Sequence, residues 1–284
     1  MDPQLTWNLV TDVRQVLEFP FMVNAFRAGT IVAVLTGLVG WFMVIRKQSF
    51  VGHTLAVVGF PGAAGAVLIG VSATYGLFTF AVVAALLIAV VPSHHSGGYR
   101  EESEVTGTIQ AFALACGFLF LSLYGGFLSS VNALLFGTFL GITSQQVLIL
   151  LLVSVATLVV LAVIARPLLF ASVDPAVAAA QGVPVRLLSA GFLVLLGVAA
   201  AEASQITGTL LVFALLVVPA ATAQVLTARP LLSIGLTVAL GVGVTWLALF
   251  IAYFVDYPIG FFLTTIAFVV YLTVALGRKL VAAR

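Results

Sequence analysis

Long uncharged stretches divide this chain. No Asp, Glu, Lys or Arg occurs between Lys47 and Arg100, or between Glu104 and Arg166. A helix needs roughly 20 apolar residues to cross a bilayer core, so each gap is long enough for two crossings. Clusters of Gly, Pro, Ser and Asn mark the turns within them. The pattern predicts spans over residues 28–45, 52–70, 73–91, 107–125, 147–165, 188–202, 206–226, 231–254 and 259–277. The apolar stretch 131–142 is too short to cross and predicts a re-entrant or interfacial helix. Residues 4–26 mix Trp7, Arg14 and Glu18 with apolar positions, which suits an interfacial helix. This segment lacks the basic start and small-residue cleavage site of a removed signal peptide, so it is expected to stay in the mature chain. The fold class expected is all-α, a polytopic membrane helix bundle of eight or nine spans. Its division is an N-terminal interfacial segment, 1–26, and a transmembrane domain, 27–284.

Composition sharpens this picture. Of 284 residues, 63% are hydrophobic and 7% charged, against about 25% charged in soluble domains. So few charges cannot solvate the surface of a water-soluble globule, and the bilayer must do so. A soluble enzyme, a disordered tail and a nucleic-acid binder are excluded. Cys116, the single cysteine, cannot form an internal disulfide. Orientation follows from the basic residues, because short cytoplasmic loops carry the excess of Lys and Arg. With an odd number of spans and the N-terminus outside, Arg46, Lys47, Arg100, Arg166, Arg186, Arg229, Arg278, Lys279 and Arg284 fall inside. Only Arg14 and Arg27 then fall outside. The expected topology is therefore N-out and C-in.

Some polar positions need a reason. A charge at the centre of a membrane helix costs about 2.5–3.5 kcal/mol on insertion scales. Glu202 stands between two apolar runs, in Ala-Ala-Ala-Glu-Ala-Ser-Gln. It sits either at the outer mouth of a helical hairpin, reached by water, or with Ser204 and Gln205 in a polar vestibule that receives a cation. His53 lies just inside the second span, where it is an ordinary interfacial residue or a metal ligand, imidazole being a common one. His94 and His95 occupy a Gly/Ser-rich loop and are expected to be solvated. Pro61 and Pro219 interrupt apolar helices and are followed by small residues. They mark either tight bundle packing or broken helices along a pathway, since proline frees a backbone carbonyl.

The loop 166–188 predicts a compact surface helix. Ser172 or Asp174 can cap it, Pro175 suits its first turn, and Gly182 suits its end. It is either a well-capped connector or a knob that docks into a cytoplasmic partner. A phosphate-binding Gly-x-x-x-x-Gly-Lys-Ser/Thr sequence is absent from the chain, and so is a His-Glu-x-x-His metalloprotease motif. Any ATP-driven step needs a separate ATPase chain.

Four stretches in order now carry a resemblance. Gly37-Leu-Val-Gly-Trp-Phe-Met-Val-Ile-Arg-Lys-Gln-Ser-Phe-Val-Gly-His-Thr-Leu-Ala resembles the first signature of the metal-ion ABC permeases. These are the membrane subunits of bacterial zinc, manganese and iron importers. Leu135-Phe-Gly, Asp174-Pro-Ala with Gly182, and Gly208-Thr-Leu-Leu-Val-Phe-Ala-Leu-Leu-Val-Val-Pro-Ala-Ala-Thr-Ala agree as well. The resemblance runs from about Phe21 onward and makes 27–284 an ABC transporter permease domain in the bacterial cell membrane. It implies a homodimer with the substrate path near its axis, two cytoplasmic ATPase subunits holding the ATP, and an extracytoplasmic binding protein that delivers the metal. No cofactor is implied for this chain; the divalent metal is its cargo. Asp174, Pro175, Ala179 and Gly182 are implied to couple to the ATPase, and His53 to meet the metal.

The departures from the family pattern bear on the substrate. Many members carry Asp where this chain has His53, and His where it has Val57. Positions i and i+4 share a helix face and can hold one cation between them. Some members also have Asp where this chain has Thr138. Imidazole suits zinc, copper, iron or nickel better than magnesium or calcium, which favours zinc, with manganese and iron still open. The lost ligands keep open a permease of this architecture for a non-metal or chelated substrate; a further alternative, from another class, is a secondary transporter or channel independent of an ATPase.

Overall fold

A computed structural model of the chain describes residues 8–91, 99–124, 137, 141–209, 211–255 and 257–282. Eleven helices and no strands are found among the described residues. They are α1 (Leu9–Leu17), α2 (Pro20–Ile45), α3 (Ser49–Leu68), α4 (Ala73–Val90), α5 (Tyr99–Leu123) and α6 (Ser144–Val173). After them come α7 (Pro175–Ala180), α8 (Val185–Thr207), α9 (Val212–Leu226), α10 (Pro230–Phe254) and α11 (Ile259–Ala282). Eight of these are long and apolar enough to cross a membrane, and the all-α polytopic bundle is as expected.

Several boundaries differ from the sequence pattern. Helix α2 starts at Pro20, whose fixed φ and missing N–H suit a first helical position, so the end of the 1–26 segment belongs to the first span. Only Leu9–Leu17 forms a separate short helix, capped by the Asn8 side chain. Helix α6 reaches Val173 through Pro167, well past the expected end at 165. Its start is fixed by a reciprocal cap: Thr143 Oγ1 accepts from the Gln146 N–H, and Gln146 Oε1 accepts from the Thr143 N–H. Helix α8 runs on to Thr207, beyond the expected end at 202. Glutamate is a good helix former, and Glu202 finds a partner in the bundle, so its polarity does not end the helix.

The next span is correspondingly shorter. The backbone leaves the helix at Gly208, whose φ of 75° only glycine adopts without strain. Helix α9 then has 15 residues, about 22 Å at 1.5 Å per residue, less than the roughly 30 Å core. The predicted span 206–226 is thus a short helix preceded by irregular backbone, and Thr209 there is buried. Such backbone is tolerated at membrane depth only inside protein. Gly137 closes over it: a Cβ at Gly137 would run into the backbone of Ile206 through Gly208, and its φ is 79°. The rest of the predicted 131–142 helix, apart from Gly141 and Ile142, lies outside the described residues, as do His94 and His95.

Neither Pro61 nor Pro219 breaks its helix, contrary to the broken-helix expectation; α3 and α9 continue through them. Both serve packing. Pro61 lies against Gly117 of α5, and Pro219 against Gly241 of α10. At Gly62 and Gly76, α3 and α4 approach backbone to backbone, and at Gly40 α2 meets the backbone of Leu216 in α9. Small residues permit this in a membrane, where no hydrophobic force drives helices together. The bundle centre is α2, α3 and α8, which bury most of their span surface, whereas α5 and α11 leave most of theirs open. The least apolar of the eight spans, α3, is also the most buried, because an interior helix need not face lipid.

Candidate functional site

His53 stands one turn into α3, half-buried, with its ring edge-on to Phe213 of α9 at 5.2 Å. Val57, one turn further, is buried with 6% of its surface exposed. The face that could pair two ligands therefore carries one imidazole and one aliphatic side chain. Among the described residues, no group of three or more His, Cys, Asp and Glu could hold a metal ion. Thr138 lies outside the described residues.

Glu202 is fully buried, so it does not sit at a wetted hairpin mouth. Its Oε1 accepts a 2.6 Å hydrogen bond from Ser154 of α6. Its Oε2 and the Thr209 hydroxyl are the buried side-chain atoms without a partner among the described residues. Ser204 and Gln205 leave α8 in other directions. The Ser204 hydroxyl donates back to the Ala200 carbonyl, and Thr74 of α4 donates to Gln205 Oε1 at 3.3 Å. Glu202 and Gln205 thus bond to different helices, α6 and α4, while the Ser204 hydroxyl bonds within α8, so among the described residues no hydrogen bond joins the three into one polar vestibule. Ser204, two positions from Glu202, points to another side of α8, whereas Gln205, three positions away, shares the Glu202 face but bonds to α4 instead of α6.

The loop helix is built as its residues predict. Asp174 Oδ1 accepts from the Val177 N–H at 3.0 Å, Pro175 takes the first turn, and Gly182 has φ 82°. The N–H groups of Gly182 and Val183 donate to the Ala179 and Ala178 carbonyls, closing the helix end. Asp174, Pro175, Ala179 and Gly182 are exposed, while Ala178 is buried and anchors the helix to the bundle. Nothing lies within 4 Å of a Cβ built on Gly182. Gly182→Ala should therefore cost only the left-handed backbone strain, about 1–2 kcal/mol, and Asp174→Ala about 1 kcal/mol for the lost cap. Both variants are expected to remain folded in thermal-unfolding assays in detergent.

Four partners were not anticipated: Ser154, Phe213, Thr74 and Arg46. Ser154 had a signal, since it and Thr157 are the only polar residues in the predicted span 147–165. Arg46 ends α2, and its guanidinium reaches Ser172 at the end of α6 and Ser189 at the start of α8.

Long apolar helices, buried polar groups and an exposed capped helix between two of them make this a multi-pass helical membrane protein. The chain belongs to the ABC 3 transport family, whose sequence model matches residues 18–278. It is similar to the manganese import system permease protein ScaB of Streptococcus parasanguinis, with 32% identity over 86% of this chain and 85% of that one. The manganese transport system membrane protein MntC of Halalkalibacterium halodurans is 29% identical over 78% of this chain and 75% of its own. Among solved structures, PsaBC from Streptococcus pneumoniae in complex with Fab superposes with a TM-score of 0.82 at 26% identity. That match covers 94% of this chain and 95% of that one. The chain is accordingly a metal-ion ABC transporter permease.

Proposed function

We propose that this chain forms the membrane path of an ATP-driven importer for a divalent transition metal, with manganese as the first candidate. The observation that carries this reading is the similarity, over 86% and 78% of the chain, to permeases named for manganese import. It replaces the preference for zinc, which rested on the chemistry of one imidazole. His53 is the residue of this chain offered to the metal, held against Phe213 at the start of a buried helix. One imidazole is far from a full coordination shell, which for manganese is built largely from oxygen ligands and water. A second copy of the chain across a homodimer axis, together with water, would supply the remainder.

Two cytoplasmic ATPase subunits hold the ATP and dock on α7 through its exposed Asp174, Pro175, Ala179 and Gly182 surface. An extracytoplasmic binding protein delivers the ion. With α9 and the irregular backbone before it completing a ninth crossing, the N-terminus is outside and the C-terminus inside, which puts α7 and most basic residues on the cytoplasmic side.

The test is ATP-dependent uptake in proteoliposomes containing the cognate ATPase and binding protein, with manganese, zinc and iron supplied separately. Wild type is expected to take up manganese in preference. His53→Ala should reduce uptake by at least about tenfold, the loss that even outer-shell partners of a metal ligand produce. Unchanged uptake in His53→Ala would return His53 to packing against Phe213. Uptake of no metal at all would move the substrate to another chemical class. In the same system, Ala179→Arg should abolish ATPase capture in a pull-down, because the longer side chain fills the exposed face of α7 and leaves the buried Ala178 in place.

A further inference from the structure

Arg46 gathers three helix ends at one point. Its Nε donates to Gln48 Oε1 at 3.0 Å, Nη1 to Ser172 Oγ at 3.1 Å, and Nη2 to Ser189 Oγ at 2.7 Å. The guanidinium also lies over the Phe192 ring of α8, 5.4 Å from its centroid. Ser172 and Ser189 flank α7 on either side, one near the end of α6 and the other in the first turns of α8. The planar fork therefore bridges the two helices from which α7 hangs. A lysine cannot reproduce this, because its ammonium is a point donor with no fixed fork.

The other end of the connection is equally tight. Only residues 46–48 separate α2 from α3. Arg46 caps α2, Lys47 takes a left-handed φ of 57°, and the Gln48 N–H returns to the Met43 carbonyl. Gln48, which accepts from Arg46, is itself buried and immediately precedes α3. His53 follows one turn later. A displacement of α7 relative to the bundle must shift Ser172 or Ser189. Arg46 then either follows, taking the start of α3 with it, or gives up hydrogen bonds made by a charged donor.

We propose that Arg46 is the positioning residue that transmits movement of α7 to α3. This rests on the reading of α7 as the ATPase docking helix. Its contacts are with Gln48, Ser172, Ser189 and Phe192, and it acts through the start of α3.

The experiment is the number of ATP molecules hydrolysed per Mn2+ taken up, measured in proteoliposomes with the ATPase and binding protein. Wild type is compared with Arg46→Lys and with a double Ser172→Ala, Ser189→Ala variant that keeps the arginine. Coupling between sites commonly amounts to roughly 5–150-fold, so Arg46→Lys is expected to raise the ratio about tenfold or more. The double variant should raise it in the same direction. A merely structural role would lower hydrolysis and uptake together through loss of assembled complex, leaving the ratio unchanged. An unchanged ratio in both variants, with wild-type uptake intact, would overturn the inference alone. Should Arg46→Lys fail to assemble, the double variant decides on its own. Absence of ATP-dependent uptake by wild type would overturn the docking reading, and this inference with it.

Discussion

Gly62→Val is expected to eliminate folded permease. Where α3 crosses α4, a Cβ on Gly62 would fall inside 3.0 Å of the Gly76 carbonyl, and a Cβ on Gly76 would fall just as close to that of Gly62. The obstacle is backbone on both sides, so no rotamer change relieves it and the helices must separate. Separation would also open the small cluster of Ala63, Leu77, Ala81 and Ala201 packed at this crossing. Overpacking a core costs typically about 1–3 kcal/mol when side chains can yield; here the loss should exceed about 3 kcal/mol. Against a total stability of about 5–15 kcal/mol, that is enough to deplete the native state. Gly243→Ala is the control. It is exposed on α10 with nothing within 4 Å of its Cβ, so alanine should be neutral or stabilise by up to about 1 kcal/mol. Size-exclusion profiles and melting curves in detergent distinguish the two. Gly62→Val with a wild-type profile would mean that α3 and α4 are not in backbone contact.

Ser154→Ala should destabilise more than Glu202→Gln, although it removes the smaller group. Among the described residues the 2.6 Å bond leaves Glu202 Oε2 without a partner, and deleting the serine hydroxyl orphans Oε1 as well. Leaving a buried acceptor unsatisfied costs about 1–3 kcal/mol. Glutamine keeps the acceptor facing Ser154, so its effect should stay near the roughly 0.6 kcal/mol average for hydrogen bonds within membrane proteins. Replacing both groups together, Ser154→Ala with Glu202→Leu, should recover part of the loss, because two apolar partners leave nothing to satisfy. A double-mutant cycle in melting temperature reads this coupling directly. If Ser154→Ala were as mild as Glu202→Gln, the pair would contribute nothing to the α6–α8 contact.

Local chemistry was readable wherever it involves only neighbours in the chain. The charge-free gaps located the helix hairpins, since the solvent around each stretch is set by its own composition. The α7 helix was legible almost residue by residue. A cap at Asp174, a proline at the first turn and a glycine past the end satisfy backbone groups within a few positions. Polar residues and prolines inside spans stayed open between two readings for the opposite reason. Glu202 looks like a loop residue until Ser154, from another helix, is known to meet it. Pro61 and Pro219 read equally as breaks or as packing contacts until Gly117 and Gly241 are seen to receive them.

The sequence by itself therefore determined the class of solvent, the all-helical membrane fold, the capped helix between α6 and α8 and the metal-ion permease family. Hydropathy, capping and ordered motifs are properties of the chain taken in order. Only the tertiary structure decided that Glu202 bonds to α6 and Gln205 to α4, that α9 is a short helix behind irregular backbone, and that Arg46 joins both flanks of α7 to the start of α3. Those outcomes depend on which residues distant in the chain arrive at the same place, and packing between helices, not local propensity, selects them.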